Sequence, residues 1–206
     1  MLITIFSLVV LLFSVALHEF AHGFCAFKLG DPTAKYAGRL SLNPLRHLDP
    51  FGSIMLPLFT LVFTAGRGPI FGFAKPVPIN PYNFRDQKWG MLKVAMAGPA
   101  MNFLTATIFG LCLRFFSLSS PLYLMFSIIA VYNFLWGIFN LVPIPPLDGS
   151  HILFSLLPQG AFKIKLFFQQ YGFLILMIFV FFGLSFIEPI ALKLFQLISG
   201  RPFPLL

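Results

Sequence analysis

Long stretches of this chain carry no charge, and that constrains its fold more than any other feature. No Asp, Glu, Lys, Arg or His precedes His18, and none lies in the runs 51–65, 94–113, 122–142 or 166–187. A helix rises about 1.5 Å per residue, so roughly 20 such residues cross the roughly 30 Å hydrocarbon layer of a bilayer. Of 206 residues 58% are apolar and 10% charged, against about 25% charged in an average soluble domain. A soluble globular fold is excluded, and lipid is the solvent. The formal charge of +8, from 14 Lys and Arg against 6 Asp and Glu, sits mainly in the connections between apolar runs. There it reads as charge facing lipid headgroups rather than nucleic acid. Cys25 and Cys112 both lie in apolar runs, which argues against a disulfide framework.

Met1 to Leu29 is long enough to span as a helix, and Gly30-Asp31-Pro32 stops it. The connection from Lys28 to Pro50 holds Lys28, Lys35, Arg39 and Arg46 against Asp31 and Asp49, so the positive-inside rule makes it cytoplasmic and places the N terminus outside. Phe51 to Ala65 contains Pro57 and is shorter than a usual span of roughly 17 to 25 residues, which favours a re-entrant segment. From Arg67 to Gly90, Pro76, Pro78 and Pro81 disfavour helix, giving a β-like loop. Met91 to Leu118 and Leu122 to Val142 form a helical hairpin that turns at Ser119-Ser120-Pro121. A short segment, Gly149 to Leu157, leads to a further span, Leu166 to Ile187, and a short terminal helix, Pro189 to Ile198. The expectation is an all-α polytopic membrane protein with about five to six membrane helices or segments and a short re-entrant β-like element. No long polar stretch interrupts it, so residues 1–206 are read as a single domain.

Chemistry enters the first span at His18-Glu19-Phe20-Ala21-His22. Spacing of i and i+4 puts both imidazoles on one helix face, the HExxH zinc arrangement. Neutral imidazole nitrogens bind Zn²⁺ at about 2.0 Å, and a carboxylate that is not a ligand takes a proton from water at the metal. Translocon scales assign roughly 2.5 to 3.5 kcal/mol to a charged residue at the centre of a span, so these groups are costly unless a metal gathers them. The plainer reading is that they mark the interfacial end of a span. A catalytic zinc generally has three protein ligands and an open position, so a third must come from elsewhere. The remaining candidates are Asp31, Asp49, Asp86, Asp148, Glu188, His47 and His151. Asp148 is the best, because Pro143, Pro145 and Pro146 precede it, free the backbone from helix and can aim a carboxylate into a cavity. The competing role for Asp148 is a helix N-cap. If Phe51 to Ala65 does not cross, Asp148 returns to the leaflet of His18 and His22. A full crossing would separate them and put Lys75, Arg85 and Lys88 outside, against the positive-inside trend.

These stretches resemble the site-2 protease family of intramembrane zinc metalloproteases, especially minimal bacterial and archaeal members without PDZ or CBS domains. The resemblance rests on HEFAH at His18–His22, GPAMN at Gly98–Asn102 and NLVPIPPLDG at Asn140–Gly149, with GFAKPVPINP at Gly72–Pro81 in support. It implies zinc binding by His18, His22 and Asp148, activation of water by Glu19, and a substrate-orienting role for Asn140. Asn133, on the same helical face, is a candidate to assist Asn140 or to make a structural interhelical hydrogen bond. Gly98 and Asn102 are read as helix-packing residues. A re-entrant β element between Gly66 and Tyr82, or partly after Gly30, would let an unwound substrate add as a strand. His151 is a candidate second-sphere partner or a surface residue, and His47 is read as a solvated loop residue.

The function so implied is a zinc-dependent intramembrane endopeptidase. It acts on transmembrane proteins or peptides in a prokaryotic cell membrane, with its active site toward the cytoplasm and no nucleic-acid partner. A membrane metal transporter or metal-binding sensor using the same His and Asp residues is the alternative.

Overall fold

The structure is a computed structural model that describes residues 2–49, 52, 55, 75–158 and 160–204. Its helices are α1 (Leu2–Lys28), α2 (Thr33–Tyr36), α3 (Gly90–Phe115), α4 (Ser120–Leu141), α5 (Asp148–Leu156), α6 (Phe162–Phe182) and α7 (Leu184–Ser199). Of these, α1, α3, α4 and α6 are long and apolar enough to cross a membrane. Two of them end or begin where the sequence supplies a reason. Lys28 lies in the last turn of α1, where a cation complements the helix dipole, and Pro121 sits in the first turn of α4, where its missing N–H is harmless.

Polarity is distributed inside out relative to a soluble bundle. Large apolar side chains such as Leu2, Phe13, Leu104 and Phe173 are exposed, whereas Ser14, His18, His22, Asn102, Ser127 and Asn133 are buried. In lipid, Leu and Phe gain little by leaving the surface, and helices associate through small residues and interhelical hydrogen bonds. Helix α3 is the hub and packs against α1, α4, α5 and α7. Its Ala106 and Leu113 join Ala130, Val131 and Phe134 of α4 and Ala191 and Phe195 of α7 in the main apolar cluster. Arg114 at the end of α3 donates from Nη1 to the carbonyls of Leu197 and Ile198 at 3.2 and 3.4 Å, capping the C terminus of α7. A second cluster, Ile144, Leu147 and Leu176, docks α6 against the proline-rich link after α4.

Two expectations, the last helix break and the setting of His47, meet a different structure. The break between the last two helices falls at Gly183 rather than at Pro189, which lies inside α7. The Phe179 ring occupies the space a Cβ at residue 183 would need, so the turn forms where side-chain bulk is absent. His47 is 1% exposed, and its Nε2 lies 2.8 Å from the carbonyl oxygen of Ser41, so it is not a solvated loop residue. No strand occurs among the described residues; Lys75 to Asn80 has no regular structure, and Gly66 to Ala74 lies outside them. The segment Phe51 to Ala65, apart from Gly52 and Met55, also lies outside the described residues.

The turn after α1 is organised by Asp31, which is fully buried. It accepts from the N–H and hydroxyl of Thr33, the N–H of Asn80 and the side-chain amide of Asn83. Burial alone would raise its pKa, but these hydrogen bonds from Thr33, Asn83 and Asn80 outweigh burial and hold the carboxyl below its usual range.

Candidate metal centre

His18 and His22 project from the second half of α1 toward the first half of α3. Each ring is oriented by a partner on its Nδ1. His22 Nδ1 lies 2.7 Å from the carbonyl oxygen of Val94, and a carbonyl can only accept, so Nδ1 carries the hydrogen. For His18 the same conclusion follows through two asparagines. The carbonyl of Ile129 accepts from Nδ2 of Asn133 at 2.9 Å, so Oδ1 of Asn133 is free to accept from Nδ2 of Asn102 at 3.0 Å. The same Nδ2 also donates to the carbonyl of Ser14 at 3.3 Å. Oδ1 of Asn102 therefore faces Nδ1 of His18 at 2.6 Å and accepts its hydrogen. A backbone carbonyl on α4 thus sets the tautomer of an imidazole on α1 through one residue of α3.

With Nδ1 protonated, a neutral imidazole presents Nε2 as a bare lone pair. The two Nε2 atoms lie 2.9 Å apart, and Oδ2 of Asp148 lies 2.9 Å from one and 3.1 Å from the other. Asp148 reaches them from the first position of α5 and makes no capping hydrogen bond, the N-cap being Leu147. Its placement depends on Gly149, where a Cβ would collide with the carbonyl oxygens of Leu141 and Val142; the glycine lets α5 start against the end of α4. Gly98 has a similar function on the opposite wall. A Cβ there would collide with His22 Nε2 and lie 2.6 Å from the Cε1 atoms of both imidazoles.

Two imidazole nitrogens and a carboxylate oxygen this close repel one another unless a proton or a metal cation lies among them. Ligand atoms held about 2.0 to 2.1 Å from a tetrahedral zinc stand about 3.3 Å apart, close to the triangle observed. Two imidazoles, one carboxylate and one open position form a donor set suited to Zn²⁺. His18, His22 and Asp148 are also the group that could hold a metal ion, with donor atoms all within 4.8 Å of one another. Glu19 is not part of that group. Its Oε2 accepts from the N–H of Val77 at 2.9 Å.

The other residues singled out in the sequence lie around this centre. Asn133 is 1% exposed and paired with Asn102, at the back of His18. Asn140 is buried near the end of α4 and donates from Nδ2 to the carbonyl of Trp136 at 3.0 Å. His151 is exposed on α5. Sequence reading missed three participants: Asn102 as the partner of His18, Gly98 as the space the imidazoles occupy, and the Val77 N–H on Glu19. The spacing of Gly98 and Asn102, four residues apart on one helix face, marks a shared contact face without saying what it meets.

Fold and site together define an integral membrane protein whose helices bring His18, His22 and Asp148 together as a group that could hold a metal ion. Comparisons with known proteins narrow this class. The description "Peptidase family M50" matches residues 114–183. "Putative zinc metalloprotease YwhC" of Bacillus subtilis is 37% identical over 182 residues, covering 84% of this chain and 78% of the relative. "Putative zinc metalloprotease Rip2" of Mycolicibacterium smegmatis is 34% identical over 172 residues, covering 81% of this chain and 63% of the relative. "Zinc metalloprotease MJ0392" of Methanocaldococcus jannaschii is 29% identical over 112 residues, covering 52% of this chain and 33% of the relative. No solved structure gives a significant match. The chain belongs to peptidase family M50, the site-2 protease family of zinc metalloproteases.

Proposed function

We propose that this protein is an intramembrane endopeptidase that hydrolyses peptide bonds in or near transmembrane segments. In this reading His18, His22 and Asp148 hold Zn²⁺ and Glu19 carries the proton. The observation that supports it best is the convergence of His18 Nε2, His22 Nε2 and Asp148 Oδ2, the two imidazoles on a helix long and apolar enough to cross lipid and the carboxylate on the short helix α5. When bound, Zn²⁺ supplies Lewis acidity to the scissile carbonyl and lowers the pKa of water at the site. Glu19 takes a proton from the attacking water through Oε1, since Oε2 is engaged by Val77. The water oxygen bonds to the carbonyl carbon, the C–N bond breaks, and Glu19 returns the proton to the departing amine nitrogen. Val94 and Asn102 hold the imidazoles in the tautomer that keeps both Nε2 lone pairs directed inward. Asn140 is assigned to substrate positioning by family resemblance alone.

The centre lies at the end of α1 that leads into Lys28, Lys35, Arg39 and Arg46, so the positive-inside rule favours a cytoplasmic site in a multi-pass protein. The test is cleavage of a model transmembrane peptide in proteoliposomes. Mass spectrometry is expected to find the cut within or at the edge of the membrane segment, with activity lost to a zinc chelator and restored by Zn²⁺. Cleavage confined to water-exposed loops, or unaffected by chelation, would contradict the proposal.

A further inference from the structure

The stretch from Lys75 to Asn80 forms a strap along α1. The N–H of Lys75 donates to the carbonyl of His47 at 2.9 Å, that of Val77 to Oε2 of Glu19 at 2.9 Å, and that of Asn80 to Oδ2 of Asp31 at 2.7 Å. Asn83 Nδ2 fastens the far end to Oδ1 of Asp31 at 2.8 Å. The Val77 side chain lies over Gly23, and Ile79 packs into the cluster of Ala26, Phe84 and Val94. At about 100° per residue, Glu19, Gly23 and Ala26 form one stripe of α1, and the strap follows it.

The sequence isolates the donor that meets Glu19. Pro76 and Pro78 have no N–H, so Val77 supplies the single backbone donor between Lys75 and Ile79. A residue preceding proline is confined to extended or polyproline geometry, and both Lys75 and Val77 precede one. The direction of the Val77 N–H is therefore set by the proline pair and by the two ends of the strap, with no sheet required.

We propose that the Val77 N–H is a positioning group for Glu19, and that Asp31, at the other end of the strap, determines where that donor sits. The inference rests on Glu19 being the proton carrier. One carboxylate oxygen is fixed by the backbone, so the other is pre-aimed and need not search among rotamers. Asp31, beyond the end of α1, is thereby coupled to chemistry at Glu19 without touching substrate.

Two substitutions separate the donor from its side chain. Val77→Pro preserves extended backbone and removes the N–H; Val77→Ala keeps the N–H and removes the packing over Gly23. Misplacing a catalytic group by about 1 Å can cost about 100-fold, so Val77→Pro is expected to lower kcat by about 10- to 100-fold with KM and zinc content unchanged. Val77→Ala is expected to stay within about threefold of wild type, because the N–H that meets Glu19 is kept and only side-chain packing is lost. Asp31→Asn turns an amide toward donors, and is expected to lower kcat by about three- to tenfold with KM unchanged. If it acts through the strap, it adds no further loss in the Val77→Pro background.

Equal losses in Val77→Pro and Val77→Ala would overturn the proposal, as would full additivity with Asp31→Asn or a wild-type kcat in Val77→Pro. Should Val77→Pro fail to fold, Asp31→Asn decides alone: reduced kcat at constant KM supports the coupling, and unchanged kcat refutes it. Activity retained in Glu19→Gln would remove the underlying role of Glu19. An inactive Glu19→Gln beside a fully active Val77→Pro would remove the strap's role only.

Discussion

Glu19→Gln is expected to abolish peptide hydrolysis while leaving the zinc content of the purified protein unchanged. Glutamine has the shape of glutamate and can still accept the Val77 N–H, but it cannot take a proton from water. General acid–base catalysis contributes about 10²- to 10⁴-fold, so kcat should fall by at least that range and cleavage of a transmembrane peptide should reach background. Zinc should remain because Glu19 lies outside the donor group formed by His18, His22 and Asp148. The same variant separates protease from transporter: a transporter would alter or keep its metal flux, with no peptide cut by either protein. Hydrolysis by Glu19→Gln at the wild-type rate would remove the proposed base.

Gly98→Ala should inactivate the protein by a different route, through loss of the metal. A methyl group at this position would occupy the space of His22 Nε2 and press on the Cε1 atoms of both imidazoles. Neither ring can swing away cheaply, because each is hydrogen-bonded through Nδ1 to Asn102 or Val94. Residue 98 also precedes Pro99 inside α3, where a Cβ adds a clash with the proline ring. Disturbing groups that orient metal ligands typically costs 10- to 100-fold in affinity or activity, and displacing the ligands themselves should exceed about 100-fold. Zinc titration of the purified variant, with circular dichroism to confirm retained helix, measures this. Full zinc occupancy in a folded Gly98→Ala protein would show that the imidazoles do not use that space.

The convergence of His18, His22 and Asp148 is legible in the sequence for a physical reason: His18, Glu19 and His22 fall within about one turn, and ionisable groups are so scarce that few carboxylates compete with Asp148. The helical hairpin of α3 and α4 is equally readable, because uncharged length alone identifies a span. Asn102 escapes because a small or polar stripe on a membrane helix reads the same whether it faces another helix or an imidazole. Only the meeting of α1 with the start of α3 decides. Asn133 lies behind His18 in the same way, its amide used by Asn102 and the carbonyl of Ile129. The break before α7 is misplaced because proline is the stronger breaker in sequence terms, whereas Pro189 sits within the first two turns of α7 and removes one backbone bond. The Glu19 to Val77 contact joins residues 58 apart, and no local pattern announces it.

Joint coordination by His18, His22 and Asp148 is tested most directly by zinc analysis and zinc-edge X-ray absorption on wild type and Asp148→Ala. One zinc per wild-type chain is expected, with nitrogen and oxygen scatterers at about 2.0 to 2.2 Å and no sulfur, together with loss of stoichiometric zinc in Asp148→Ala. An Asp148→Ala protein that keeps its full zinc with an unchanged spectrum would contradict the shared centre.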